Sequence, residues 1–360
     1  MAGFLFGILV VVMLLCLLAP TESLRWWATQ SAAESEERTE KVRRALAART
    51  DEVDPRHSYL VFVSGVGAVD PTPSIAGERP LLDSLRRHLA GVAIIDHIYP
   101  YAMENRSLLE QRINARWWRF MSQHTHRSRI APLARWLINM RNTLQVAVSM
   151  DSRYGPLYSL GIANVMWDEL LKAGYRPGSR TPIVLLSWSG GAQIALGATW
   201  YLAATGAPVY LVSVGGWMAD DPGLEKVTHL WHLTGTKDWV QATACIFPGR
   251  WPFRRRSDWS RAKAQGRLEV ISLGPLRHLG LGSYLSAGKI MPDGRTARQT
   301  TVDMICDLLF SHDLATPAQD GARRPDPAVA GPAASAPAGS ELLGHAPTPL
   351  DPGVASTDQT

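Results

Sequence analysis

The chain has 360 residues, 46% of them apolar and 19% charged, enough apolar material for a sizeable core and too much for wholesale disorder. Lys and Arg number 37 against 32 Asp and Glu, a formal charge of +5; with no recognition motif beside it, so small an excess excludes nucleic acid as the expected partner. Three cysteines, Cys16, Cys245 and Cys306, exclude a disulfide-stapled scaffold, and no Cys/His spacing suggests a structural zinc site.

The first element is an apolar run. Residues 1–21 carry no charged side chain, and Phe4 to Ala19 is almost unbroken hydrocarbon. A helix needs about 20 such residues to cross a bilayer core, so 1–21 is predicted to be a transmembrane anchor. The alternative is a cleaved signal peptide, whose positive leader and small-x-small cleavage site are missing. Trp26 and Trp27 follow at the level of the headgroups. Arg25, Arg38 and Lys41 lie beyond the run, so positive-inside bias places the main domain of a single-pass membrane protein on the cytoplasmic side. Residues 22–56 read as a polar stalk, with Glu34–Arg38, Glu37–Lys41 and Glu40–Arg44 spaced four apart as on a helix.

From residue 57 to 315 short apolar runs alternate with helical stretches. Strands are predicted at 59–63, 92–95, 182–186, 209–213, 229–233 and 268–272, and helices at 81–89, 157–173 and 193–204. Apolar strands separated by helices make a mostly parallel sheet covered on both faces, an α/β fold. Residues 316–360 are rich in Ala, Pro and Gly without an aromatic residue, and read as a disordered tail. That tail holds two basic residues, Arg323 and Arg324, against the acids Asp320, Asp326, Glu341, Asp351 and Asp358, so the body is more basic than the whole-chain figure.

The most informative stretch is Ser187-Trp188-Ser189-Gly190-Gly191, where a strand runs straight into a helix. A serine on so tight a turn has its hydroxyl lifted above the sheet, and its neighbours two positions away must be small because backbones nearly touch there. Gly191 meets that need on one side; Ser187 stands where Gly is usual on the other. The helix N-terminus also aims backbone N–H groups at the place where negative charge would develop. Past the next strands stand Asp238, in Gly235-Thr-Lys-Asp, and His278, in Pro275-Leu-Arg-His, both just beyond carboxyl ends of predicted strands.

This pattern resembles the nucleophile elbow and chain order of the α/β-hydrolase superfamily, over about residues 57–315. The resemblance implies an α/β-hydrolase fold with Ser189 as nucleophile, His278 as base and Asp238 as the acid that orients it, with no cofactor and no metal. It also implies an oxyanion hole built from the N–H of Gly190 and one from the loop Ser64-Gly65-Val66-Gly67, assigned to Val66 with Gly65 as the alternative. Asp220 and Asp221 are the rival acids; His97, His229, His232 and His312 read as structural.

Residues 111–150 contain no carboxylate but hold Arg112, Arg116, Arg119, Arg127, Arg129, Arg135 and Arg141 among Trp117, Trp118 and Trp136. The interval 106–150 falls where hydrolases insert a helical cap. A basic, Trp-bearing face suits either a membrane surface or ordinary packing on the sheet. The expectation is therefore a membrane-tethered serine hydrolase of the esterase, lipase or thioesterase kind. Its partners would be the lipid bilayer and a small-molecule or lipid acyl substrate. The alternative is a catalytically silent module of the same fold at the membrane.

Overall fold

A computed structural model describes residues 56–67, 77–98, 100, 131–151 and 153–318. The elements in chain order are β1 (Ser58–Val63), α1 (Glu78–His88), β2 (Leu89–Ala90), β3 (Val92–Ile98), α2 (Ala131–Ser149) and α3 (Gly155–Lys172). They continue with β4 (Ile183–Trp188), α4 (Gly191–Ala203), β5 (Val209–Val214), α5 (Gly223–Lys226), β6 (His229–Thr234) and α6 (Trp239–Ala242). The last are α7 (Asp258–Ala264), β7 (Leu268–Ser272), α8 (Ala297–Ser311) and β8 (Thr316–Pro317).

Six strands form one sheet in the order β3-β1-β4-β5-β6-β7, and every pairing in it is parallel. Alternate residues of each strand feed opposite faces, as the two-residue side-chain period requires. Tyr59, Val61, Val63, Ile183, Leu185, Val209 and Leu211 pack with Ile162 and Met166 of α3 and Ile194 and Leu196 of α4. Leu60, Phe62, Val184, Leu186, Val212 and Trp231 pack on the other face with Leu81 and Leu85 of α1 and Ile305 and Leu309 of α8. Burial on both faces is why the central strands read as continuous apolar runs. The sheet is parallel throughout and covered by helices on both faces, an α/β architecture.

Topology also chooses where a site can form. From β1 the chain crosses to β3 on one side, then returns to β4 on the other. The connections leaving β1 and β4 therefore diverge, and the carboxyl ends of such strands are where open α/β sheets place their sites. Ser64 to Gly67 and Ser189 follow those two strands.

The membrane reading is corrected. Among the described residues no helix is long and apolar enough to cross a membrane. The longest, α2, carries Arg135 and Arg141 beside Asn139, Asn142 and Gln145, and α3 carries Asp168, Glu169 and Lys172. Such groups are too costly to strip of water in a bilayer core. The apolar run 1–21, the stalk 22–55, the basic segment 112–121 and the tail from 319 lie outside the described residues. Without such a helix among the described residues, the transmembrane anchor, the single-pass topology, the lipid bilayer as partner and a lipid-like substrate lose their support. The described part of the expected cap is the single helix α2, which packs against α3 and α4. Arg141, one of the arginines of the basic stretch 111–150, is buried beside Asn142.

Candidate active site

β4 delivers Ser189 onto the sharp turn into α4 with φ at +54°, the left-handed region that L-residues adopt only where the surroundings enforce it. Enforcement comes from both chain directions. The Ser189 N–H donates to the Val214 carbonyl at 3.1 Å, and its carbonyl accepts from Ala192 and Trp217 N–H, each at 3.1 Å. A Cβ on Gly191 would lie 2.7 Å from the Val63 carbonyl oxygen, so the position two after the nucleophile has no room for a side chain. Two before it, Ser187 is fully buried and its hydroxyl donates to the Val212 carbonyl at 3.3 Å. A small residue with a satisfied hydroxyl thus stands in for the usual glycine.

The loops after β6 and β7 supply the next two groups. Ser189 Oγ lies 2.8 Å from His278 Nε2, and His278 Nδ1 lies 2.9 Å from Asp238 Oδ2 and 3.1 Å from Oδ1. A carboxylate can only accept from Nδ1–H, which leaves Nε2 unprotonated to accept from the serine hydroxyl. The serine is 7%, the histidine 5% and the aspartate 2% exposed, so the hydrogen bonds operate largely out of water.

Two residues that sequence reasoning missed complete this side. Tyr284 Oη donates to Asp238 Oδ2 at 3.0 Å, while the Gln241 N–H donates to Oδ1 at 2.9 Å as Asp238 caps α6. Burial and the adjacent Asp238 charge both push the Tyr284 phenol up from its ordinary value, so it remains a donor. Trp188, the variable residue of the elbow, stacks on the His278 ring with centroids 4.8 Å apart and planes at 21°. Tyr284 lies in a glycine-bearing loop without periodicity, and the elbow pattern leaves position 188 unspecified. Neither had a signal in the sequence.

On the other side, the loop after β1 comes against Ser189. A Cβ on Gly65 would lie 2.7 Å from Trp188 Cδ1 and 3.3 Å from Ser189 Cβ. The Gly65 N–H is engaged, donating to Glu78 Oε1 at 3.2 Å. The Val66 carbonyl accepts from Asn142 Nδ2 at 2.6 Å. Glu78 is fully buried, and burial pushes its carboxyl up to about 7 despite hydrogen bonds from Gly65 and Ser64.

The rival acids lie elsewhere. Asp221 accepts from Gln193 Nε2 and the Gly223 N–H, each at 2.8 Å, and burial pushes it up to about 6. Asp220 accepts from the Trp259 N–H at 2.7 Å. His232 is buried between Ser213 and Gln241, and His229 and His312 pack around Trp231. The side chain of His97 lies outside the described residues. Among the described residues no group of three His, Cys, Asp or Glu side chains is placed to hold a metal ion.

No protein-family model matches the chain, and no curated protein matches it. Among solved structures it is similar to a dienelactone hydrolase-like promiscuous phosphotriesterase from metagenomic libraries, at 15% identity and a TM-score of 0.35, over 74% of this chain and 89% of that one. So faint a likeness carries no argument. The Ser189–His278–Asp238 network itself supports a serine-hydrolase-type enzyme.

Proposed function

We propose that the protein hydrolyses a carboxylic ester or thioester through a covalent acyl-serine intermediate. The observation that carries the reading is a serine at φ +54° whose hydroxyl meets His278 Nε2 at 2.8 Å while Asp238 engages the other ring nitrogen. His278 takes the Ser189 proton as Oγ attacks the acyl carbon. The oxyanion that forms accepts from the N–H groups of Gly190 and Val66. The imidazolium, stabilised by Asp238, returns the proton to the departing alcohol or thiol. Water then attacks the acyl-serine with His278 as base, releasing the acid and restoring Ser189. An alcohol or thiol needs only that one proton to leave, and one histidine supplies it.

The test is turnover of p-nitrophenyl acetate, p-nitrophenyl butyrate and butyrylthiocholine by the purified, folded chain. Hydrolysis with an initial burst equal to the enzyme concentration is expected for at least one of them. Folded protein that turns over none of the three would refute the reading.

A further inference from the structure

The structure assigns Glu78 and Asn142 a joint task as positioning residues: they clamp the loop after β1 so that the Val66 N–H is held toward Ser189. The assignment rests on the reading of Val66 as an oxyanion donor and goes beyond it, since it names what orients that donor.

The geometry is specific. Glu78 grips the Gly65 N–H, which belongs to the peptide unit joining residues 64 and 65. Asn142 grips the Val66 carbonyl, which belongs to the unit joining 66 and 67. Between them lies one planar unit, the one that carries the Val66 N–H. With both neighbouring planes pinned, that unit cannot rotate independently.

A glycine at 65 makes such pins necessary. The approach to Trp188 and Ser189 leaves no room for a Cβ there. Glycine, however, lets the backbone turn almost freely about its own bonds, so the orientation must be imposed from outside. Glu78 imposes it from the first turn of α1 and Asn142 from the middle of α2. Both side chains are 0% exposed, a costly place for polar groups unless they are needed. Among the described residues Glu78 Oε2 has no hydrogen-bond partner, so the fold carries a desolvated oxygen that an apolar residue would spare it. Retaining that oxygen is what a loop-holding role explains and a packing role does not. α2 thus serves the site by gripping the loop.

The experiment compares wild type with Glu78→Gln, Glu78→Met, Asn142→Leu and the Met/Leu double variant. It measures kcat and KM on p-nitrophenyl butyrate, fluorophosphonate labelling rate and thermal midpoint. Loss of a whole oxyanion donor costs about 10²–10³-fold in kcat, and a misplaced donor part of that. The expected result is a kcat lowered about 10- to 100-fold in the Met and Leu variants with KM within about twofold. Glu78→Gln, which keeps an acceptor for the Gly65 N–H, should stay within about threefold, and the double variant should fall by less than the product of the singles. Should the Met or Leu variant fail to fold, Glu78→Ala and Asn142→Ala replace them with the same expectation. Folded variants with wild-type kcat and only a lowered midpoint would overturn the clamp and leave the acyl-serine reading standing. A wild type that neither labels at Ser189 nor hydrolyses the ester would remove both.

Discussion

Ser189 and Ser213 each meet a buried histidine, the first at His278 Nε2 over 2.8 Å and the second at His232 Nδ1 over 3.2 Å. The group behind each ring sets the two apart. Behind His278 stands the Asp238 carboxylate, which takes Nδ1–H and leaves Nε2 to accept the serine proton. Behind His232 stands Gln241, whose Nε2 donates to the ring at 3.1 Å. That fixes the proton on His232 Nδ1, so the ring donates to Ser213 and cannot act as its base. Their places in the sheet differ too. Ser213 and His232 face each other in register within β5 and β6, both 0% exposed, whereas Ser189 stands just past the carboxyl end of β4. Of the two serine–histidine contacts, only the one with a carboxylate behind the ring and a place beyond the strand is arranged for proton transfer from the serine.

That contrast can be broken from either side. Asp238→Asn would put behind His278 the same kind of amide that stands behind His232. We expect kcat to fall about 10⁴-fold with the fold intact, by analogy with the corresponding change in serine proteases; a loss under tenfold would mean the carboxylate is not what separates the two pairs. Tyr284→Phe removes one donor to the same carboxylate, a bond worth about 1.5–3 kcal/mol. The expected loss in kcat is about tenfold, read with the same ester, and an unchanged kcat would take Tyr284 out of the triad's support. Ser213→Ala should leave kcat within about twofold, because its histidine has the wrong tautomer.

The second pair should show itself in stability. Burial pushes His232 from its ordinary value of 6.5 to about 3. Between those values the unfolded chain binds a proton that the folded chain does not. The contribution is present above pH 6.5 and is lost as pH falls from there toward 3. Urea midpoints at pH 7 and pH 5 should therefore differ less in His232→Gln than in wild type, and an equal difference would refute the buried neutral imidazole. Glu78, pushed up from 4.5 to about 7, acts in the opposite sense: its contribution is present below 4.5 and is lost as pH rises through 7.

Much of the sheet was legible because two-sided burial writes central strands as apolar runs. β7 departs from that pattern: it is an edge strand with Val270 half exposed and Glu269 outward. Ser189 was legible through the steric demand on Gly191, and Asp238 and His278 through their places after successive strands. Their supports were not. Glu78 stands just before the helix expected at 81–89, and nothing in the sequence marks it as buried; its burial and its bond to the Gly65 N–H appear only in the fold. Asn142 sits in a stretch dominated by arginines and aromatics, and nothing local marks it as reaching the loop after β1. The membrane reading rests on residues 1–21 and on the basic, Trp-bearing stretch 111–150, and the composition of neither says how the sheet is built.

Fluorophosphonate labelling followed by peptide mapping tests the central claim most directly, since it asks the two serines the same question. One phosphonyl adduct on Ser189, none on Ser213, and no labelling of Ser189→Ala is the predicted result. An adduct on another serine, or undiminished labelling of Ser189→Ala, would contradict the account.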